Sequence, residues 1–468
     1  MITSIVSRLR RTAEGPARQN VFGSLLIQGS LRLSRFLVFV AAAALLTPSS
    51  FAAAVLALSL ADLVRGGLQA FDVDAVRLLS RGDDAARVVH GSLDAKGLAG
   101  FVAILIVAAT GALIYDSETA WLSFLSGVGA LLASFASSFL VRRQAALALR
   151  SISLRITVVS LLGTVIAVVA AWLTHSALGV VVGVAIGDSL LLALLWENEG
   201  WHRPDWRAAS AQTRLCRRLL VMQFAYIGQF RVGTIVLALA GSAVAVGEYS
   251  IASRITEGMI ILAAALTSSS LPMIGAAHAR NEQVGLASIF ERCYGAGLRL
   301  TAPLIGALVI AAPLWIWLLF PRYPNVGPPS AVVGLAVILY FASSQTTALL
   351  NATHHDRAAS WSAVAGLLAS VIGVIVLRSD GAVGVAWARV AGEFVRLAIE
   401  ALAAVRVLAI RPASLVRPWL ALSPVFAGMT IAVVGNWQPV YVSVAVVAVI
   451  GGSGIPRLLG LRHSTARV

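Results

Sequence analysis

The sequence predicts an all-α polytopic membrane protein of about fourteen transmembrane helices, built as two parallel six-helix lobes plus two carboxyl-terminal helices. Three observations predict it. Of 468 residues, 59% are hydrophobic and 12% charged, about half the charged share of a soluble domain. Apolar runs of about 20 residues, enough to cross a bilayer as a helix, recur along the whole chain. A sequence repeat with an offset of about 200 residues relates the first six runs to the next six.

The apolar runs place spans near 20–44, 49–72, 97–115, 119–141, 153–174, 177–196, 217–241, 246–275, 293–320, 327–351, 359–377, 381–405, 414–434 and 438–455. Alternate connections differ sharply in charge. One set holds Arg8, Arg10, Arg11 and Arg18, then Arg77, Arg81, Arg87 and Lys96, then Arg142, Arg143 and Arg150, and so on to Arg457, Arg462 and Arg467. The other set reads TPSS, DSET, THSA, GSAVAVGE, FPRYPNVG, RSDG and GNWQP, with only Arg322 and Arg378. Basic loops stay in the cytoplasm, so both termini are expected there, as an even span count also requires. The basic amino terminus runs into an apolar segment containing Arg32 and Arg35, which reads as a retained first helix rather than a signal peptide.

The net charge of +15 would suggest nucleic acid in a soluble protein. Here the basic residues punctuate the apolar runs, so topology explains them and no nucleic-acid partner is expected. Lys96 is the only lysine, and no GxxxxGK[ST] precedes it. A P-loop is therefore absent, and the energy source is expected to be a gradient or another protein. The two cysteines, Cys216 and Cys293, flank Arg-rich loops and imply no disulfide framework. No cofactor is expected, and the loop cluster His354-His355-Asp356 reads as solvated rather than metal-binding.

The repeat is clearest where ALGVVVGVAIGD (177–188) is laid on AVGVAWARVAGE (382–393), both ending in an acid, Asp188 or Glu393. In the same register span one with Arg35 matches span seven with Arg231, and span two with Asp62 matches span eight with Glu257. Six spans per unit give both units one orientation, a plan that recurs in secondary transporters. The expected organisation is an amino-terminal lobe (1–196), a cytoplasmic linker (197–216), a second lobe (217–410) and two extra helices with a tail (411–468). No connection in the Arg-poor set is long enough to carry a catalytic domain, so a membrane glycosyltransferase or polymerase fits poorly and the chain is not expected to be an enzyme.

Charges inside the spans are the candidate functional residues. An arginine at a helix centre costs roughly 2.5–3.5 kcal/mol on insertion scales. Gln28, Arg32 and Arg35 share one face of span one at i, i+4 and i+7, and Arg231 lies mid-span in span seven. None of these arginines has an acid at i±3 or i±4 in its own span, so they must meet water, an acid from elsewhere or an anionic ligand. Surplus guanidinium suits a phosphate or diphosphate, which it binds through paired, charge-assisted hydrogen bonds. Asp62–Arg65 and Arg254–Glu257 stand at i,i+3 and read equally as local ion pairs or as site residues. Arg389, Glu393, Arg396 and Glu400 form an alternating ladder on span twelve, where pairing within the helix is the simpler reading. The expected binding set is Gln28, Arg32, Arg35, Arg231 and Arg254. Asp62, Arg65, Glu257, Glu393 and Asp188 are expected to pair charges or couple ions.

Pro303 and Pro313 should bend span nine, and Pro272 should end span eight near Ser268-Ser269-Ser270. Gly66-Gly67 could loosen span two. Trp315, Trp317, Trp419 and Trp437 lie near span ends as interface anchors.

These residues resemble the polysaccharide (O-antigen/exopolysaccharide, Wzx-type) flippases of the multidrug/oligosaccharidyl-lipid/polysaccharide exporter superfamily. GEYSIASRI is similar to that family's G-x-Y-S-x-A-x-R pattern through Gly247, Tyr249, Ser250, Ala252 and Arg254. LPMIGAAHARNE looks like its Pro-containing end of helix eight through Pro272. DGAVGVAWARVAGE looks like its G-x-x-G-x-A-x-A segment through Gly381, Gly384, Ala386 and Ala388. LLTPSSFA matches the first-repeat turn in part, with Thr47 and Ala52 where glycines are usual. The resemblance covers spans one to twelve. It implies two six-helix lobes around a cavity opening alternately to each side of the bacterial inner membrane. It also implies a lipid-linked oligosaccharide as cargo, with membrane lipids and other polysaccharide-assembly proteins as partners. A lipid II flippase and a cation-coupled drug exporter of the same superfamily remain open as alternatives. The exporter fits less well, because span one carries Arg32 and Arg35 where an unpaired acid would be expected.

Overall fold

A computed structural model describes residues 15–80, 84–114, 117–145, 149–196, 204–240, 242–260, 274–275, 277–278, 280, 282–353, 355–408 and 410–452. Pro272, Ser268-Ser269-Ser270 and His354 lie outside them. Helix dominates, and there is no strand among the described residues. The amino-terminal helices are α1 (Gly15–Leu45), α2 (Pro48–Ser80), α3 (Ala85–Ile114), α4 (Ser117–Ala145), α5 (Arg150–Thr174), α6 (Ala177–Leu195) and α7 (Trp206–Leu239). Then come α8 (Ala243–Glu257), α9 (Gln283–Ile310), α10 (Ala312–Leu319), α11 (Gly327–Ala352), α12 (Asp356–Leu377) and α13 (Gly381–Leu408). The chain closes with α14 (Pro412–Ala421), α15 (Ser423–Val434) and α16 (Pro439–Gly452).

Ten stretches among the described residues are long and apolar enough to cross a membrane, or eleven if α14 and α15, bent by 44°, form one span. The difference from fourteen has physical sources. Asp356–Arg406 counts once although it holds both α12 and α13. The described lengths of α8 and α16, 15 and 14 residues, fall short of a bilayer's thickness. Each expected span nonetheless contains a helix. The fold is that of an all-α polytopic membrane protein.

Exposure supports the same reading. On α5, Leu154, Val158, Leu161, Leu162, Val165, Val169 and Trp172 form an exposed apolar stripe. On α12, Trp361, Leu368, Ile372, Ile375 and Val376 do the same. Stripes this continuous on several helices would aggregate in water; against lipid tails they carry no penalty.

Two compact units divide at Gly247/Glu248, within α8. In the amino-terminal unit α2 is the central helix, packed against α3, α4 and α7. The unit thus includes α7, whereas the repeat read in the sequence starts a second lobe at 217. In the carboxyl-terminal unit α11 is the most buried span, with 83% of its apolar window covered, and it packs on α9 and α13.

The repeat has matching local geometry. In α6 a Cβ on Gly179 would meet the Ala170 carbonyl at 2.6 Å, and in α13 one on Gly384 would meet the Leu377 carbonyl at 2.1 Å. Each glycine lets its helix turn tightly off the one before it, α6 off α5 and α13 off α12. Helix nine of the sequence is indeed broken: α9 ends at Ile310, Ala311 intervenes, and Pro313 lies in the first turn of α10, where its missing N–H costs nothing. Gly66 and Gly67 do not loosen α2, which runs unbroken. Cβ atoms there would collide with Ile227 and Phe224 of α7, so these glycines allow close helix contact.

Three of the four tryptophans read as anchors also carry a hydrogen bond. Trp315 Nε1 donates to the Leu308 carbonyl, Trp419 Nε1 to Tyr294 Oη and Trp437 Nε1 to the Val309 carbonyl. Trp317 is exposed. Cys216 and Cys293 are free thiols.

Candidate functional site

The amino-terminal unit gathers charges from four helices. Asp62 stands on α2 with its carboxylate 3.2 Å from Arg231 Nη2 of α7 and 3.9 Å from Arg35 Nη1 of α1. One turn along α2, Arg65 Nη2 lies 2.5 Å from Asp188 Oδ2 of α6. Asp62 and Arg65 therefore each reach a different helix, in place of the local i,i+3 pair that their spacing allows. Arg35 and Arg231, which have no acid at i±3 or i±4 on their own helices, find one on α2. Arg32 is half-buried and Gln28 exposed on the same helix as Arg35.

The pairs are unequal. Arg231 is 10% exposed and at hydrogen-bonding distance from Asp62, so its attraction is little screened. Arg35 is 38% exposed and further away; such a contact contributes about 0–1 kcal/mol. Three guanidiniums, Arg35, Arg65 and Arg231, meet two carboxylates, Asp62 and Asp188, in this charged set. Arg35 is thus the more exposed of the two arginines that face Asp62.

In the carboxyl-terminal unit the charges form a buried lock. Ser253 Oγ donates to Glu257 at 2.5 Å, and Arg389 Nη1 donates to Ser253 at 2.8 Å and to Glu257 at 3.2 Å. On α13, Arg396 Nε donates to Glu400 at 3.1 Å. Glu400 also accepts from Ser343, Thr347 and Ser362 at 2.7–2.9 Å. Glu393 is fully buried, accepts no hydrogen bond among the described residues and lies 3.9 Å from Arg396. The ladder thus pairs partly within α13, as expected, and partly across to α8 through Arg389. Arg254 is a half-buried side chain of α8 in this unit.

Arg65–Asp188 ties α2 to α6 and Glu257–Arg389 ties α8 to α13, with the polarity reversed. The sequence repeat matches Asp62 with Glu257 and Asp188 with Glu393; the structure uses the same two helices and other partners.

Sequence reasoning missed the deepest cation. Lys96, read as a loop residue, lies within α3 and is fully buried. Its Nζ is 2.6 Å from Asp72 Oδ1 on α2. The available signal was the serine pattern of α4, where Ser134, Ser137 and Ser138 fall at i, i+3 and i+4. No group of His, Cys, Asp and Glu able to hold a metal occurs among the described residues.

The fold has solved relatives. The chain superposes on the lipid II flippase MurJ in an inward closed conformation with a TM-score of 0.71, covering 93% of this chain and all of that one at 12% identity. The chain shares the fold of that structure. An inward-facing multidrug-resistance MATE family transporter of the MOP superfamily matches with a TM-score of 0.58 over 80% of this chain and 92% of its own, at 13% identity. A mutant of the Vibrio cholerae MATE transporter VcmN matches with 0.60 over 85% and 98%, at 14% identity. No protein-family model matches the sequence. No curated protein matches it either. Identities this low establish the shared fold of flippases and exporters.

Proposed function

We propose that the chain is a flippase that moves an undecaprenyl-diphosphate-linked oligosaccharide across the bacterial inner membrane by alternating access, for surface polysaccharide biosynthesis. The observation that carries the proposal is the convergence of Arg35 and Arg231 on the single carboxylate of Asp62. A diphosphate offers several oxygens in paired geometry, which guanidinium matches better than ammonium does. Arg35 and Arg231 bind it in the amino-terminal unit, with Arg32 and Gln28 along the same helix. Arg254 is assigned a contact to the glycan-diphosphate in the carboxyl-terminal unit. Asp62 neutralises the site between cargoes. Arg65–Asp188, Glu257 and Glu393 hold the helices in register or couple ions. The termini are assigned to the cytoplasm from the arginine pattern, with lipid and other polysaccharide-assembly proteins as partners.

The polysaccharide cargo is supported by the G-x-Y-S-x-A-x-R resemblance around Tyr249 and Arg254. A lipid II cargo is the second reading, favoured by the complete coverage of MurJ. Both cargoes are diphosphate lipids, so the charge geometry serves either. The deciding experiment is the lipid extract of a deletion strain, analysed by mass for undecaprenyl-diphosphate glycans. Accumulation of a multi-sugar unit with loss of surface polysaccharide supports the proposal. Accumulated lipid II selects the second reading, and an unchanged set of lipid-linked intermediates refutes both.

A further inference from the structure

Lys96 takes no part in the proposed anion site, yet it is fully buried and its ammonium is ringed by four oxygens. Its Nζ contacts Asp72 Oδ1 of α2 at 2.6 Å. From α4 it contacts the Ser134 carbonyl at 2.6 Å, Ser138 Oγ at 2.8 Å and Ser137 Oγ at 3.0 Å. An ammonium has three protons, and here four oxygens surround it. Ser137 Oγ also reaches Asp72 Oδ2 at 2.8 Å and the Ser134 carbonyl at 2.7 Å. Ser92 Oγ on α3 closes the ring to Ser138 Oγ at 3.2 Å. One carboxylate, one carbonyl and two hydroxyls make the all-oxygen donor set that suits a hard cation. More acceptors than protons is what a set arranged around a charge, rather than around N–H directions, looks like.

We propose that Asp72, Ser134, Ser137 and Ser138 form a monovalent-cation cage that the ammonium of Lys96 fills. The amino-terminal unit thereby carries a tethered cation where a dissociable one would otherwise bind. Asp72 is 16% exposed while Lys96 is fully covered, so the cage has an open edge at the carboxylate and its lysine stem plugs the α3 side. The tether binds α2, α3 and α4 into one body whatever the ionic composition. With the side chain cut back, the stem's volume becomes a route and a seat for a small free cation. Left empty, the cage holds a buried carboxylate without its counter-charge, which is strongly destabilising.

The test is thermal unfolding of the purified full-length protein in choline chloride, with sodium, potassium, ammonium or methylammonium chloride substituted at constant ionic strength. The native protein is expected to melt at one temperature in all of them. Lys96→Ala is expected to melt lower by on the order of 5–10 °C in choline. It should recover saturably with at least one small cation. Lys96→Ala/Asp72→Asn, which removes both charges, should show no such recovery. A Lys96→Ala protein no more cation-sensitive than the native one overturns the proposal, and so does equal sensitivity in the double variant. If Lys96→Ala folds too poorly to melt, folded yield decides. Recovery during purification in ammonium but not choline supports the cage, and no recovery with any small cation refutes it.

Discussion

Asp62 faces the two arginines assigned to the proposed anion site, so on that proposal neutralising it should strengthen binding while harming turnover. In Asp62→Asn the side-chain shape survives and Arg35 and Arg231 lose their shared counter-charge. Affinity for inorganic diphosphate, measured by calorimetry on the purified protein, should rise about tenfold, a change of about 1.4 kcal/mol. Polysaccharide export should fall, because release now lacks a competing carboxylate. Arg35→Ala and Arg231→Ala should abolish export while the protein still inserts; normal export in both would remove the anion site from the account. The arginines themselves were legible in the sequence, because a mid-span guanidinium is costly enough to demand an explanation. Their partner was not. Spacing rules reach only i±3 and i±4 on one helix, and Asp62 acts across helices. Lys96 was misread for a related reason: the polar residues around it, Asp94 and Ser92, resemble a loop until Asp72 and the α4 serines are brought alongside.

At the scale of an element, the turn between α12 and α13 separates sterics from propensity. Gly381 has φ +61°, and the Cβ of a residue replacing Gly384 would fall 2.1 Å from the Leu377 carbonyl. That carbonyl belongs to backbone and cannot swing aside, so Gly384→Val should unfold the turn and sharply lower the melting temperature and yield. A Cβ added at Gly29, on α1, would meet no atom within 4 Å. Gly29→Ala should therefore be neutral or stabilise by about 0.5–1 kcal/mol, which makes it the control. On α13 itself, Glu400→Ala leaves the buried Arg396 with only the 3.9 Å contact to a carboxylate, Glu393, and removes the acceptor shared by Ser343, Thr347 and Ser362; a loss of about 3–5 kcal/mol is expected. Glu393→Gln breaks no hydrogen bond among the described residues and should cost far less; equal losses would contradict the ranking. Helix identity and order were legible from apolar run length, and the α9–α10 break from Pro313. The α8 boundary between compact units was not, because the repeat is read from sequence spacing alone whereas α7 is bound to α2 through the contacts that Gly66 and Gly67 permit.

For the whole molecule, the reading that matters most is which face of the membrane each connection occupies, since the proposed lipid-linked cargo would have to be met from the cytoplasmic side. The assignment rests on arginine asymmetry and is independent of the helix packing. It can be checked in intact cells with a membrane-impermeant maleimide, in a background carrying Cys216→Ser and Cys293→Ser. Single cysteines at Thr47, His175 and Ser379, all exposed in Arg-poor connections, should react from outside. Cysteines at Arg142 and Arg411, exposed in the Arg-rich set, should react only after permeabilisation. The same map tests the exclusion of an enzyme, because α1 to α2 and α5 to α6 are joined by only a few residues. The reverse pattern would turn the chain over, leaving the arginine-rich loops on the outer face. A mixture, with Ser379 and Arg411 inverted relative to the earlier positions, would mean that a crossing between them, the short helix α8 first, fails, and that the parity placing both termini inside is lost. With the expected pattern, the basic loops face the leaflet where a diphosphate lipid is assembled, and the charge that sets the topology also attracts the cargo's headgroup.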